Sequence, residues 1–351
     1  MGYRDGGVKA RHLSCLFLGV VLVLANVIRG VEGHVAAFHK AMYCFNGTKA
    51  GVENLNAADA ITPLYKLNKT DWWMHHMNRC DEFPPAPGDF LELPANGEFT
   101  VEHATSRAFT TLSYNGKKVG LYVDGQDHPD FGGPTDGKVT PTSCISNPNI
   151  HTQNETMAAG TIFAISYNSE LSQVTEENLV VFTVLPNTPW RRIATYKVPN
   201  LPACPPGGCI CTWGWVANGC GEPNMYMQPF RCKVVGDTGN AAVRPGVPPV
   251  WCEDDPSKCI VGPKQMIFFN QLEGNNVQVD GFDLSGDNRH PTYNNKMGFS
   301  SGAQTDIFQE AGTATPTHIP PSSNRLNAAE YAAPAALLPY AMLISSAILW
   351  S

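Results

Sequence analysis

His34 stands in the stretch "VIRGVEGHVAAFHKAMYCFNGT", directly after a long apolar run. A histidine that begins a mature chain offers two nitrogens to one metal ion: its free α-amine and its ring Nδ1. A second histidine elsewhere can supply a third. Three nitrogens in a T suit copper, which favours planar, nitrogen-rich sites. The α-amine titrates near neutrality, so copper can displace its proton. This chemistry is open to the chain only if His34 becomes its first residue.

The flanking residues predict that it does. Arg4, Lys9 and Arg11 form a positive start, residues 13–28 form an apolar core, and Val31 and Gly33 fill the small-residue positions of a cleavage site. The run is short for a membrane span. Residues 1–33 therefore read as a secretory signal cleaved after Gly33. Ten cysteines then remain, from Cys44 to Cys259, and an even count in an oxidising compartment predicts up to five disulfides. The dense group "CPPGGCIC" reads as disulfide cysteines ahead of a zinc site. Asn46, Asn68 and Asn154 begin glycosylation sequons.

The other end carries a second targeting signal. No charged residue follows Tyr331, and "AALLPYAMLISSAILWS" closes the chain behind the small polar group "PPSSN". That is the pattern of a glycolipid (GPI) anchor signal, with attachment at Ser322, Ser323 or Asn324. Residues 312–324 read as a Thr/Ser/Pro-rich stalk, and residues 325–351 as the part removed on maturation. Membrane association is expected only through this anchor.

Residues 34–311 hold the globular part. Strand-like runs occur at 117–123, 160–167, 178–185, 192–198 and 264–269, separated by Gly/Pro/Asn loops, and no long stretch has helical period. An all-β sandwich with long loops, several disulfides and only short helices is expected. The net charge is -7 without a basic cluster, which argues against nucleic acid as a partner.

The candidate second histidines are His39, His75, His76, His103, His128, His151, His290 and His318. His318 falls in the stalk. His75 and His76, in "WWMHHM", read as packing residues. His151, in "SNPNIHTQNETMAAG", lies in a polar loop before a strong strand, where ligands are often carried.

Six blocks occur in order: "HVAAFHKAMYCFNGT", "PLYKLNKTDWWMHH", "EFPPAPGDFLELPANG", "LPACPPGGCICTWGW", "NMYMQPFRCKVVG" and "QLEGNN…GAQTDIF". Together they resemble the lytic polysaccharide monooxygenases of auxiliary activity family fourteen, over residues 34–308. The resemblance implies an immunoglobulin-like β-sandwich that binds one copper ion per monomeric chain. It implies His34 and His151 as the two histidines of the brace and Tyr226, in "MYMQPF", as the axial ligand. It implies oxidative cleavage of polysaccharide, with xylan on cellulose as substrate, an external electron donor, and oxygen or hydrogen peroxide as co-substrate. The chain also departs from the pattern. Ala217 stands where the family has histidine and Asn224 where it has glutamine, at positions that hydrogen-bond beside the metal. Thr105 and Thr161 replace cysteines, and Cys44 and Cys80 look like additions that pair with each other.

Two other functions stand beside the enzyme. One is a non-catalytic copper-binding surface protein of the same fold, favoured by the anchor signal and by Ala217 and Asn224. The other is a carbohydrate-binding wall protein without metal.

Overall fold

The computed structural model describes residues 1–2, 34–129, 145, 148, 150–218 and 223–309. The chain divides into two units, Met1–Ala311 and Gly312–Ser351, and every described residue falls in the first. The cleavage site, the stalk, Ser322 and its neighbours, Cys144 and Cys220 lie outside the described residues. Among the described residues, no helix is long and apolar enough to cross a membrane.

Among the described residues, nine strands form two sheets. They are β1 (Ala36–Phe38), β2 (Leu91–Pro94), β3 (Glu98–Ala104), β4 (Thr161–Ser166), β5 (Val180–Leu185), β6 (Ile193–Lys197), β7 (Cys209–Val216), β8 (Met225–Val235) and β9 (Gly302–Ala303). The small sheet has the order β1-β3-β6, and the large one β2-β8-β7-β4-β5-β9. Among the described residues, helical structure is confined to short pieces such as α1 (Lys69–Trp72) and the 3₁₀ segment Trp73–Asn78.

The two sheets read differently because they are buried differently. In β6 the odd positions Ile193, Thr195 and Lys197 are exposed while Ala194 and Tyr196 are buried. One face of the small sheet thus meets water, which produces strict alternation. β4 and β7 are buried at every position, because the large sheet is covered on both faces. Its inner face sends Phe163, Trp213, Trp215, Tyr226 and Phe230 towards Phe99 and Tyr196 of the small sheet. Its outer face sends Ile162, Val216, Met225 and Met227 beneath Leu64, Trp72, Met74 and residues 266–268.

The strand readings held for β4, β5 and β6. They failed at 117–123, where only Tyr122 makes an isolated bridge, and at 264–269, where only Lys264 and Gln265 do. Residues 266–268 are apolar because they lie on the outer face as a covering loop. The two longest strands, β7 and β8, were not singled out. Their Cys, Trp, Met and Pro residues depart from the β-branched signature, although burial on both faces explains that composition.

Four disulfides tie the described residues together: Cys44–Cys80, Cys204–Cys209, Cys211–Cys232 and Cys252–Cys259. "CPPGGCIC" is therefore disulfide-bonded, and Cys44 and Cys80 do pair. Cys211–Cys232 bridges β7 to β8, the strands that carry the candidate site.

Thr161, which stands in place of a family cysteine, joins a buried polar cluster. The Tyr196 hydroxyl lies 2.6 Å from Thr161 Oγ1 and 3.2 Å from His103 Nε2, and it accepts from Trp213 Nε1 at 3.2 Å. Tyr196→Phe would strand several buried groups at once. A loss of about 2–4 kcal/mol is expected, measurable as a lower urea midpoint at unchanged slope. An unchanged midpoint would show that the cluster repacks around the gap.

Candidate metal centre

The hairpin of β7 and β8 positions the candidate residues. Its register pairs Trp213 with Gln228, Trp215 with Tyr226 and Val216 with Met225. Directly paired residues project to the same face, so Trp213, Trp215, Tyr226 and Gln228 share the inner face. One step past the last pair, Ala217 comes opposite Asn224. Both are buried, at 2% and 4% exposure, so neither is a surface substitution.

Trp215 is the hub. Tyr226 stacks on it with ring centroids 4.6 Å apart and planes at 20°. His151 meets it edge-on at 5.7 Å and 70°. The structure thus brings His151 and Tyr226 to one indole. Buried polar atoms here without a hydrogen-bond partner among the described residues include Trp215 Nε1, a donor, and Asn224 Oδ1, an acceptor.

His151 is half-buried at φ 43°, in the left-handed region that a side chain adopts only at a cost of about 1–2 kcal/mol. Its neighbours enforce this conformation. Ile150 is fully buried, and Thr152 accepts from the Ile145 amide at 2.8 Å. Strain held by surrounding structure is a mark of a functional position. His34 is half-buried immediately before β1, and Val35 and Ala36 behind it are fully buried. Val35 behind His34, Ile150 before His151, Trp215, Ala217 and Tyr226 all belong to the main core cluster.

One neighbour of this site was missed in the sequence. Leu64 and Met225 exchange backbone hydrogen bonds of 2.8 and 3.2 Å. Tyr65, the residue after this bridge, is exposed. The segment carrying Tyr65 thus meets the start of β8, next to Asn224 in sequence. Nothing in "PLYK" signals this pairing, because it depends on a contact 160 residues away along the chain.

The remaining described histidines are committed elsewhere. His75 is fully buried, with Nδ1 3.2 Å from the Met227 carbonyl, as a packing residue should be. His76 is instead half-exposed and pairs with Asp81 at 2.9 Å, because its short 3₁₀ segment turns it outward. His76, Asp81 and Glu82 could together hold a cation, but Asp81 already bonds His76 and Glu82 bonds Arg79. His128 pairs with Asp124 at 3.0 Å. Asn46 and Asn68 are exposed. Asn154 is half-buried, with Oδ1 accepting from Thr156 Oγ1 and the Met157 amide.

Burial pushes His103 down to about 3 and His39, His75 and His290 down to about 4. The unfolded chain would protonate each near 6.5, so below that pH it binds more protons than the folded chain. Stability is therefore full above about pH 6.5 and falls as pH drops towards 4, by up to about 1.4 kcal/mol per pH unit for each histidine. Calorimetry between pH 7 and 4 should record a falling Tm, and a flat profile would refute the assignment.

The imidazole of His151 and the phenol of Tyr226, which share the Trp215 indole, are donor types that copper accepts. The profile of the family "Lytic polysaccharide monooxygenase AA14" matches residues 16–346. AA14 family lytic polysaccharide monooxygenase B of Talaromyces rugulosus is 34% identical over 310 residues, which is 85% of this chain and 99% of that protein. The enzyme of the same name from Pycnoporus cinnabarinus is 33% identical over 304 residues, covering 84% and 74%. AA14 family lytic polysaccharide monooxygenase A of Trametes coccinea is 32% identical over 294 residues, covering 81% and 63%. The chain belongs to the AA14 family of lytic polysaccharide monooxygenases, copper-dependent oxidoreductases that cleave polysaccharide.

Proposed function

We propose that the mature protein begins at His34 and binds one copper ion through His34, His151 and Tyr226. We further propose that it oxidises xylan associated with cellulose. The observation that carries the site is the placement of His151 and Tyr226 on one indole, Trp215. Bound copper, reduced by an external donor, would supply the oxidising chemistry with oxygen or hydrogen peroxide.

The chain's own residues do the rest. The His34 amine and the two imidazoles offer donors on separate segments, so the fold sets their geometry. Trp215 holds the His151 ring edge and fixes the plane of Tyr226. Tyr226 is buried at 2% exposure, which keeps water from its side of the site. Tyr65, exposed on the segment that meets the start of β8, offers a ring against which a sugar face can pack. We assign the protein to the cell surface as a secreted, GPI-anchored monomer, with glycans at Asn46, Asn68 and Asn154 and anchorage at Ser322 or its neighbours.

The test is incubation of secreted, copper-loaded protein with xylan-coated cellulose and ascorbate, followed by mass spectrometry of the soluble products. Oxidised xylo-oligosaccharides are expected. Oxidised cello-oligosaccharides alone would move the substrate to cellulose. Absence of oxidised products with copper bound would favour the second reading, a non-catalytic copper-binding surface protein. That reading is supported by Ala217 and Asn224.

A further inference from the structure

We propose that the outer face of the large sheet carries a second site, a cleft that binds a neutral saccharide. It is separate from the metal centre and does not depend on the copper reading. Tyr226 points inward from β8, whereas Arg231 points outward five residues further along, about 17 Å away at the rise of a strand. β8 changes character between these positions. Met225 and Met227 lie under the covering layer, but Arg231 lies beyond it. Trp73 and Met74 of the cover and the turn Leu171–Gln173 both border the sheet near Arg231. Between them is a cavity of 520 Å³.

Its chemistry selects the ligand. Trp73, Met74, Leu171 and Val174 make apolar walls, with Trp73 half-buried and held edge-on by Trp72 and Phe268. Tyr43, Asp81, Glu170 and Arg231 supply the polar groups. Arg231 bonds the Tyr43 phenol, but its Nε is buried without a hydrogen-bond partner among the described residues, so that atom calls for an acceptor. Glu170 calls for a donor, and Asp81, already bonded to His76, adds a further acceptor. A phosphate or carboxylate ligand would satisfy Arg231 and be repelled by the two acids. An ammonium ligand would meet the reverse. A hydroxyl group both donates and accepts, and a sugar ring adds a C–H face for Trp73. Burial holds the Tyr43 phenol above its ordinary value even beside Arg231, so it remains protonated and can donate. Such a site would tether the protein to polysaccharide without covering the metal.

Copper-loaded secreted protein would be titrated with xylohexaose and with cellohexaose by calorimetry. Glu170 and Ser172 are exposed, so Glu170→Ala and Ser172→Trp should fold normally. At least one hexaose is expected to bind, with affinity falling roughly tenfold in Glu170→Ala and in Arg231→Gln. One binding site per chain should be lost in Ser172→Trp, while copper affinity stays unchanged. His151→Ala should keep the outer site, which separates this proposal from the metal centre. Binding of neither hexaose, or equal binding in wild type and all three cleft variants, would overturn it. Tighter binding of hexagalacturonate than of both hexaoses would overturn the neutral-ligand assignment.

Discussion

One extra residue before His34 is expected to weaken copper binding by more than about a hundredfold, with every side chain intact. The amine becomes an amide, and an amide nitrogen does not bind copper at neutral pH without losing its proton. Loss of a group that merely supports a ligand commonly costs a metal site about 10–100-fold, so loss of a direct donor should exceed that. His151→Ala should do the same and remove the T-shaped copper signature from paramagnetic resonance spectra. The two lesions should part company in stability. His151 sits at φ 43°, which only glycine adopts without steric cost. His151→Gly should therefore lose copper and gain up to about 1 kcal/mol in the metal-free state. That combination marks strain retained for a ligand. Superimposable spectra for wild type and His151→Ala would remove His151 as a ligand. His103 would be a poor replacement, since it is fully buried and bonded to Tyr196. A stability loss in His151→Gly would show that the histidine is there for packing.

The β class of the fold was legible because burial on both faces leaves a continuous apolar run, and β4 and β5 are such runs. The same burial hid β7. "CICTWGWV" is wholly buried, yet its cysteines look like a disulfide cluster and its tryptophans like isolated aromatics. The run at 264–269 misled for the complementary reason, since an apolar segment can cover a sheet without joining it. At the site, the residue types were legible and their relations were not. Sequence offers His151 among several histidines, and only the indole of Trp215, contributed by another strand, ties it to Tyr226. Tyr65 was invisible because its place is set by one backbone bridge.

The double variant Ala217→His with Asn224→Gln is expected to raise peroxide-driven oxidation of polysaccharide by about 10–100-fold and to change copper affinity by less than about threefold. The two positions follow the Val216–Met225 pair, two steps beyond Trp215 and Tyr226, so both border the site without supplying its ligands. Alanine offers no hydrogen bond. Asn224 keeps Oδ1 buried without a partner among the described residues, an arrangement that costs about 1–3 kcal/mol and that folding alone does not favour. Histidine at 217 would give Oδ1, or the longer glutamine carbonyl, a donor within reach and would place a second polar group beside the metal. Burial sets the price of the exchange. At 2% and 4% exposure there is little spare room, and overpacking should lower stability by about 1–3 kcal/mol. The experiment therefore reads three quantities on one variant: copper affinity by titration, Tm by calorimetry, and oxidised product per unit time with peroxide. Higher activity at lower Tm and constant affinity would mean that this pair limits the wild-type rate. Unchanged activity with the same loss of Tm would mean that the rate is set elsewhere, with Tyr65 and the sugar contact as the next place to look.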